Sequence, residues 1–213
     1  MGRLVVIEGL DGAGKRTLAD TLVTAFRQAG ASVAQVAFPR YGDDIHAELV
    51  RDALRGDLGD LSESVHGMAM LFALDRLAAK DELRVLLASH DVLLADRYVA
   101  SNAAYGAARL REDADGPFTS WVRSLEMDRF DLPVPQAQLL LRVPVDVAAG
   151  RADRRAAADA DRAKDSFEAD AELQARCAAV YDQLAAANWL SPWHVIDGTL
   201  TVDAAVLAKT LLR

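Results

Sequence analysis

The chain has 213 residues, enough for one domain, and is 52% hydrophobic and 26% charged, which excludes disorder and supplies a full buried core. Its 24 Lys and Arg against 32 Asp and Glu give a formal net charge of −8. Affinity for polyanions rests on clustered cations, so such a chain is expected to bind neither nucleic acid nor an anionic membrane. The single cysteine, Cys177, excludes an internal disulfide and a Cys-based zinc site, and fits a reducing compartment. No apolar run approaches the ~20 residues that span a bilayer. Leu4–Ile7 is too short for a signal peptide and runs into Glu8 and Asp11. A cytoplasmic protein is expected.

Taken in chain order, the first apolar run is Leu4 to Ile7. After a glycine-rich turn, Thr17 to Ala29 has helical spacing, with Leu18, Leu22, Val23 and Phe26 on one side and Gly30 closing it. Further apolar runs follow at Val33–Ala37, Val92–Ala95, Ala137–Val143 and His194–Ile196. Continuous runs of this kind suit strands covered on both faces. Their alternation with helical stretches predicts an α/β fold with a doubly wound parallel sheet and right-handed crossovers. Gly56–Ser64 is short and polar and reads as a loop. Arg151–Asp165 has charges but no large apolar residue, so it is expected on the surface, mobile, with nothing to bury.

Gly9-Leu10-Asp11-Gly12-Ala13-Gly14-Lys15-Arg16-Thr17 follows the first strand and opens the first helix. That is the setting of a phosphate-binding loop, whose backbone N–H groups and helix N-terminus face phosphate oxygens while the lysine adds a point charge. Gly9, Gly12, Ala13, Gly14, Lys15, Arg16 and Thr17 are therefore candidates for binding ATP. One position departs from the pattern. Arg16 stands where a Ser or Thr hydroxyl would bind Mg²⁺, so either the metal is held elsewhere or the loop is inactive. Because Arg16 adds charge toward phosphate, the first reading is preferred.

Val92-Leu-Leu-Ala-Asp96-Arg97 is a second apolar strand ending in a carboxylate. An ATP-hydrolysing motor would place a carboxylate base after that Asp. Arg97 is wrong for activating water but suits an anionic acceptor, which points to phosphoryl transfer onto a bound molecule. Phe72 and Arg76 are four apart, hence on one helix face. A ring that stacks and a guanidinium that donates suit a pyrimidine; otherwise Phe72 is core and Arg76 pairs with a neighbouring acid such as Asp75.

Together Glu8-Gly-Leu-Asp-Gly-Ala-Gly-Lys15, Phe38-Pro-Arg-Tyr41, Leu71-Phe-Ala-Leu-Asp-Arg76, Asp96-Arg-Tyr98 and Ser101-Asn-Ala-Ala-Tyr105 resemble the thymidylate kinases over nearly the whole chain. Arg16 resembles the actinobacterial members in particular. The resemblance implies one P-loop kinase domain over 1–213 with a five-stranded parallel sheet and a mobile lid at about 149–163. It implies ATP-dependent phosphorylation of dTMP to dTDP, with Mg²⁺, in a cytoplasmic homodimer. The alternatives are another small P-loop nucleoside or nucleotide kinase, or a non-catalytic nucleotide-binding regulator.

Residue by residue, the resemblance puts Phe72, Arg76 and Asn102 at the dTMP base and Tyr105 under its sugar, with Phe38 and Ser101 also among the dTMP-binding residues. Arg40 and Arg97, with Tyr41 nearby, are the expected clamps on the acceptor phosphate. Asp11 would touch either the sugar 3′-hydroxyl or the Mg²⁺ shell, with the metal role preferred, and Glu168 would assist the metal. In the lid, Arg151 is expected on ATP and Arg155 as the transition-state cation, although spacing alone also admits Arg154 and Arg162. The catalytic set is therefore Lys15, Arg97, Asp11 and Arg155. The family often carries Gln after the tyrosine; here Gly106 stands. Cys177, Trp121, Trp189 and Trp193 are assigned to packing.

Overall fold

The computed structural model describes residues 2–158, 167 and 170–212, without the side chains of 155–158. Five strands form one all-parallel sheet: β1 Arg3–Glu8, β2 Val33–Ala37, β3 Val92–Asp96, β4 Ala137–Arg142 and β5 Trp193–Asp197, in the order β2-β3-β1-β4-β5. The expected strands all form, with ends shifted by at most one residue. Leu4, Val5, Val6 and Ile7 of β1 are fully buried, as a strand covered on both faces requires.

The helices are α1 Lys15–Gln28, α2 Ile45–Leu54, α3 Asp60–Glu63, α4 Val65–Ala78, α5 Lys80–Ser89, α6 Val99–Leu110 and α7 Pro117–Arg123. A π-helical turn, Ser124–Arg129, continues α7; then come α8 Val145–Ala158, α9 Ala171–Ala186 and α10 Ala204–Leu211. Leu18, Leu22, Val23 and Phe26 of α1 are buried as their spacing predicts. Helix α1 packs with α10, and α6 with α9. Among the described residues no helix is long and apolar enough to cross a membrane.

Two expectations about connecting segments need correction. Gly56–Ser64 contains the short helix α3, because it has partners: Ser62 Oγ donates to the Ala53 carbonyl at 2.7 Å, and Arg109 Nη2 to those of Ser62 and Glu63 at 3.0 and 3.1 Å. Arg151–Asp165 also buries something. Ala152 is 2% exposed, and Arg151 is partly buried against the glycine loop. The rest of the expected lid, from 159 on, lies outside the described residues.

Registers such as Ile7 with Asp96 and Ile7 with Leu139 bring the carboxyl ends of β3, β1 and β4 together. β1 lies between β3 and β4, so the chain leaves it where the winding of the sheet reverses. Ligands bind at such switch points in open α/β sheets.

Candidate active site

The loop after β1 takes the shape its glycines permit. Gly12 has φ +79°, and a Cβ there would stand 2.1 Å from the Ala148 carbonyl oxygen of α8. No other residue would fit. Lys15 is buried and donates to the carbonyls of Gly9 and Leu10 at 3.2 and 2.9 Å, with Asp11 Oδ1 3.9 Å away. Burial and the nearby Arg97 charge pull its ammonium down to about 8. Arg16 and Thr17 are exposed on the first turn of α1. Arg151 bridges the loop to the turn after β5, donating to the carbonyls of Ala13 at 2.9 Å and Gly198 at 3.2 Å.

Beside the loop, β1 ends in Glu8, fully buried and surrounded by donors. Its Oε1 accepts from the Tyr98 and Ser101 N–H groups at 2.9 and 3.2 Å, and its Oε2 from Ser101 Oγ and Tyr181 Oη at 2.5 and 3.0 Å. Glu8 thus ties the turn between β3 and α6 to the loop. Burial still raises its pKa, despite these hydrogen bonds and the Arg97 charge. Ser101 is therefore held inside the first turn of α6 by Glu8.

Arg97 follows β3 with φ 67°, a left-handed conformation uncommon outside glycine. Its N–H donates to the Ile7 carbonyl at 2.9 Å. Its guanidinium pairs with Asp11 and donates to Ser101 Oγ at 3.0 Å and Tyr181 Oη at 3.4 Å. Tyr105 Oη donates to the other Asp11 oxygen at 2.7 Å. Burial works against the Asp11 charge, yet Arg97, Lys15 and Tyr105 outweigh it and hold the carboxyl well below its usual range.

A cavity of ≈ 250 Å³ opens next to this junction. It brings together Asp11, Phe38, Tyr41, Phe72, Arg76, Arg97, Ser101, Asn102 and Tyr105, which are nine of the ten residues expected to hold the acceptor. Arg40 is the exception. Its backbone N–H, Nε and Nη2 donate to Asp75 at 3.0, 2.8 and 3.0 Å, and Asp44 and Glu82 lie 3.3 and 3.6 Å from its guanidinium. Three carboxylates thus turn Arg40 away from the cavity lining. Asp75 is committed to Arg40, so Arg76 finds another acid, Glu126 of the π-helical turn, with Nε–Oε2 at 2.5 Å and Nη2–Oε1 at 2.8 Å.

Sequence reasoning misses several members. Phe167 lines the cavity and stacks on Tyr105, with ring centroids 6.2 Å apart. Tyr181 and Glu126 are buried partners of Arg97 and Arg76. The aromatic Tyr181 at helical spacing from Cys177 signals only a core face. Glu168 lies outside the described residues, and so does the Arg155 side chain. A second groove of ≈ 620 Å³ borders the loop at Gly9 and Leu10 and passes Arg142, Asp197 and Thr199 at the carboxyl ends of β4 and β5.

A lysine-bearing glycine loop at the switch point, with an acidic strand end beside it and an aromatic, arginine-lined cavity across Arg97, defines a P-loop kinase. Comparison with known proteins narrows the class. The family model described as thymidylate kinase matches residues 7–206. The chain is 51% identical over 208 residues to the thymidylate kinase of Mycobacterium tuberculosis strain H37Rv, covering 98% of this chain and 96% of that protein. It is 34% identical over 206 residues to that of Xanthomonas campestris strain B100, covering 96% and 80%, and 35% identical over 207 residues to that of Xanthomonas oryzae strain PXO99A, with the same coverage. The chain belongs to the thymidylate kinase family, whose members are phosphotransferases.

Proposed function

We propose that this chain transfers the γ-phosphoryl group of ATP to the 5′-phosphate of dTMP, giving ADP and dTDP. The observation that carries the reading is the Arg97–Asp11 junction, which joins an aromatic, arginine-bearing cavity to the glycine loop. Two phosphorylated nucleotides meeting there would have their phosphates on opposite sides of Arg97.

The acceptor phosphate has a second pKa of about 6, so at neutral pH it is mostly dianionic and needs no general base. One of its oxygens attacks the γ-phosphorus in line, the bond to the β–γ bridging oxygen breaks, and ADP leaves. Arg97 exchanges Asp11 for the incoming phosphate and orients it bidentately. Arg40 would join this clamp only by leaving Asp75. Phe72 stacks on the base, Arg76 and Asn102 meet its polar edge, and Tyr105 supports the deoxyribose. The glycine loop, Lys15, Arg16, Thr17 and Arg151 hold ATP. Arg155 serves as transition-state cation in a lid over about 149–163 that excludes water.

An Mg²⁺ ion fits the acids beside the loop. Asp96 Oδ1 is buried and has no hydrogen-bond partner among the described residues. Mg²⁺ is commonly held through one or two carboxylates together with waters and substrate phosphates. Asp11 and Asp96 would hold it, with Glu168 as the further ligand the family resemblance implies. Bound there, the cation would supply charge neutralisation for the phosphates of ATP. We read the chain as one kinase domain over 1–213, working as a cytoplasmic homodimer without nucleic acid or membrane partners.

The test is ADP formation from ATP and Mg²⁺ with dTMP, dUMP, dCMP or thymidine as acceptor. Turnover is expected with dTMP foremost. Absence of dTMP-dependent turnover, or a preference for thymidine or dCMP, overturns the reading.

A further inference from the structure

Beneath the acceptor cavity lies a carboxylate that touches none of the cavity's space. Glu126 is fully buried on the π-helical turn, 50 residues from Arg76 and 24 from Asn102. Such turns add a residue to a helix and redirect its side chains, often at functional sites. Glu126 grips Arg76 through Nε and Nη2, which leaves Nη1 as the nitrogen of that guanidinium not held by the acid. Asn102 Nδ2 donates to the same Oε1 at 2.8 Å and to the Ala69 carbonyl at 3.0 Å.

Both Asn102 neighbours are acceptors. The end of the amide facing them must therefore be the NH₂, and its two protons are both used. Asn102 lines the cavity, so the atom left for a ligand is Oδ1, an acceptor with no proton to give. The pair then presents one acceptor and one cationic donor. A uracil-type ring offers the complement, a donor at N3–H and an acceptor at O4. A cytosine ring offers the reverse, an acceptor at N3 and an amino donor at C4, and would leave buried groups facing their like.

We propose that Glu126 is a specificity-determining positioning residue, which fixes the Asn102 amide and the Arg76 guanidinium so that the cavity accepts uracil-type and rejects cytosine-type nucleotides. The inference rests on the dTMP reading above. Glu126 acts through its two partners and touches no substrate. Without its carboxylate, the Asn102 amide keeps only the Ala69 carbonyl to hold its NH₂ away from the base, and the arginine loses its fixed plane.

The experiment compares kcat and KM for dTMP and dCMP in the wild-type enzyme, Glu126→Gln and Glu126→Asp. Gln keeps the shape but supplies its own NH₂. Asp keeps the charge against Arg76, and so supports the fold, but is one methylene short of Asn102. Both variants are expected to raise KM for dTMP at least tenfold with kcat less affected, and to lower the dTMP-to-dCMP ratio of kcat/KM at least tenfold. Equal losses for the two substrates, or a fall in kcat alone, in a variant that melts cooperatively would show Glu126 to be structural only and overturn the proposal. The wild-type measurement separates the two readings: without dTMP turnover, the functional reading fails first and this one with it.

Discussion

Gly106 sits in α6 directly after Tyr105, where family members often carry glutamine. A Cβ built at Gly106 would stand 2.0 and 2.1 Å from two ring carbons of Phe118, against about 3.5–4.0 Å for a normal carbon contact. In Gly106→Ala the ring or the helix must therefore retreat by about 1.5 Å. The ring has little room: Phe118 is 1% exposed, with His66 and Trp121 centroids 5.2 and 5.4 Å away. Overpacking costs about 1–3 kcal/mol, a clash this close against a confined ring lies in the upper part of that range at about 2–3, and the better helix propensity of alanine offsets about 1 of it. The net loss of about 1–2 kcal/mol lowers Tm by about 2–8 °C in a chain of this size. Thermal melting with urea titration reads it directly. The strain also falls on the helix that carries Asn102 and Tyr105, so KM for dTMP should rise. Pairing the change with Phe118→Leu should return part of the stability, since residues in contact are not additive. A Gly106→Ala protein that melts at or above the parent temperature would refute the packing argument. A glutamine placed at Gly106 would meet the same Phe118 ring through its Cβ.

Three further outcomes follow from the site. Arg97→Ala removes two charge-assisted bonds to the acceptor, each worth about 1.5–3 kcal/mol, so KM for dTMP should rise by at least ~100-fold in steady-state assays, and a rise under tenfold would refute its role as clamp. Arg155→Ala should leave dTMP binding intact by titration and lower kcat by ~10³-fold; normal turnover moves the role to Arg151 or Arg154. Lys15 titrates near 8 when folded against an ordinary 10.5, so the unfolded chain holds more proton between those values and this group's contribution to stability rises with pH across that window. ATP phosphates should restore the proton: calorimetry at pH about 8.5 in buffers of different ionisation heat should register uptake, lost in Lys15→Met.

The fold was legible because its determinants are local. Continuous apolar runs such as Leu4–Ile7 and Val92–Ala95, each of strand length, suit strands buried on both faces, and helical spacing from Leu18 to Phe26 marks a covered helix. The glycine loop is likewise a local signal, carried by the spacing of its glycines and Lys15 between a strand and a helix, and its Gly9, Gly12 and Gly14 take the positive φ that this spacing permits. The site was legible as a set of cations, but not as the pairs they form. Arg40, Arg76 and Arg97 each meet a carboxylate, Asp75, Glu126 and Asp11, across 35, 50 and 86 residues of chain. No spacing rule reaches that far, because those pairs are set by which strand ends and helices the sheet brings together. The consequence for Arg40 is the sharpest. As a bare cation it looks like a phosphate clamp, and only its three acidic neighbours reveal that binding must first compete with Asp75. A partner acid can thus do two different things in one cavity. Asp11 sits where it can be displaced by a phosphate, whose charge has the same sign and is larger, whereas Glu126, with no exposure and two partners, stays in place and fixes what the arginine can recognise.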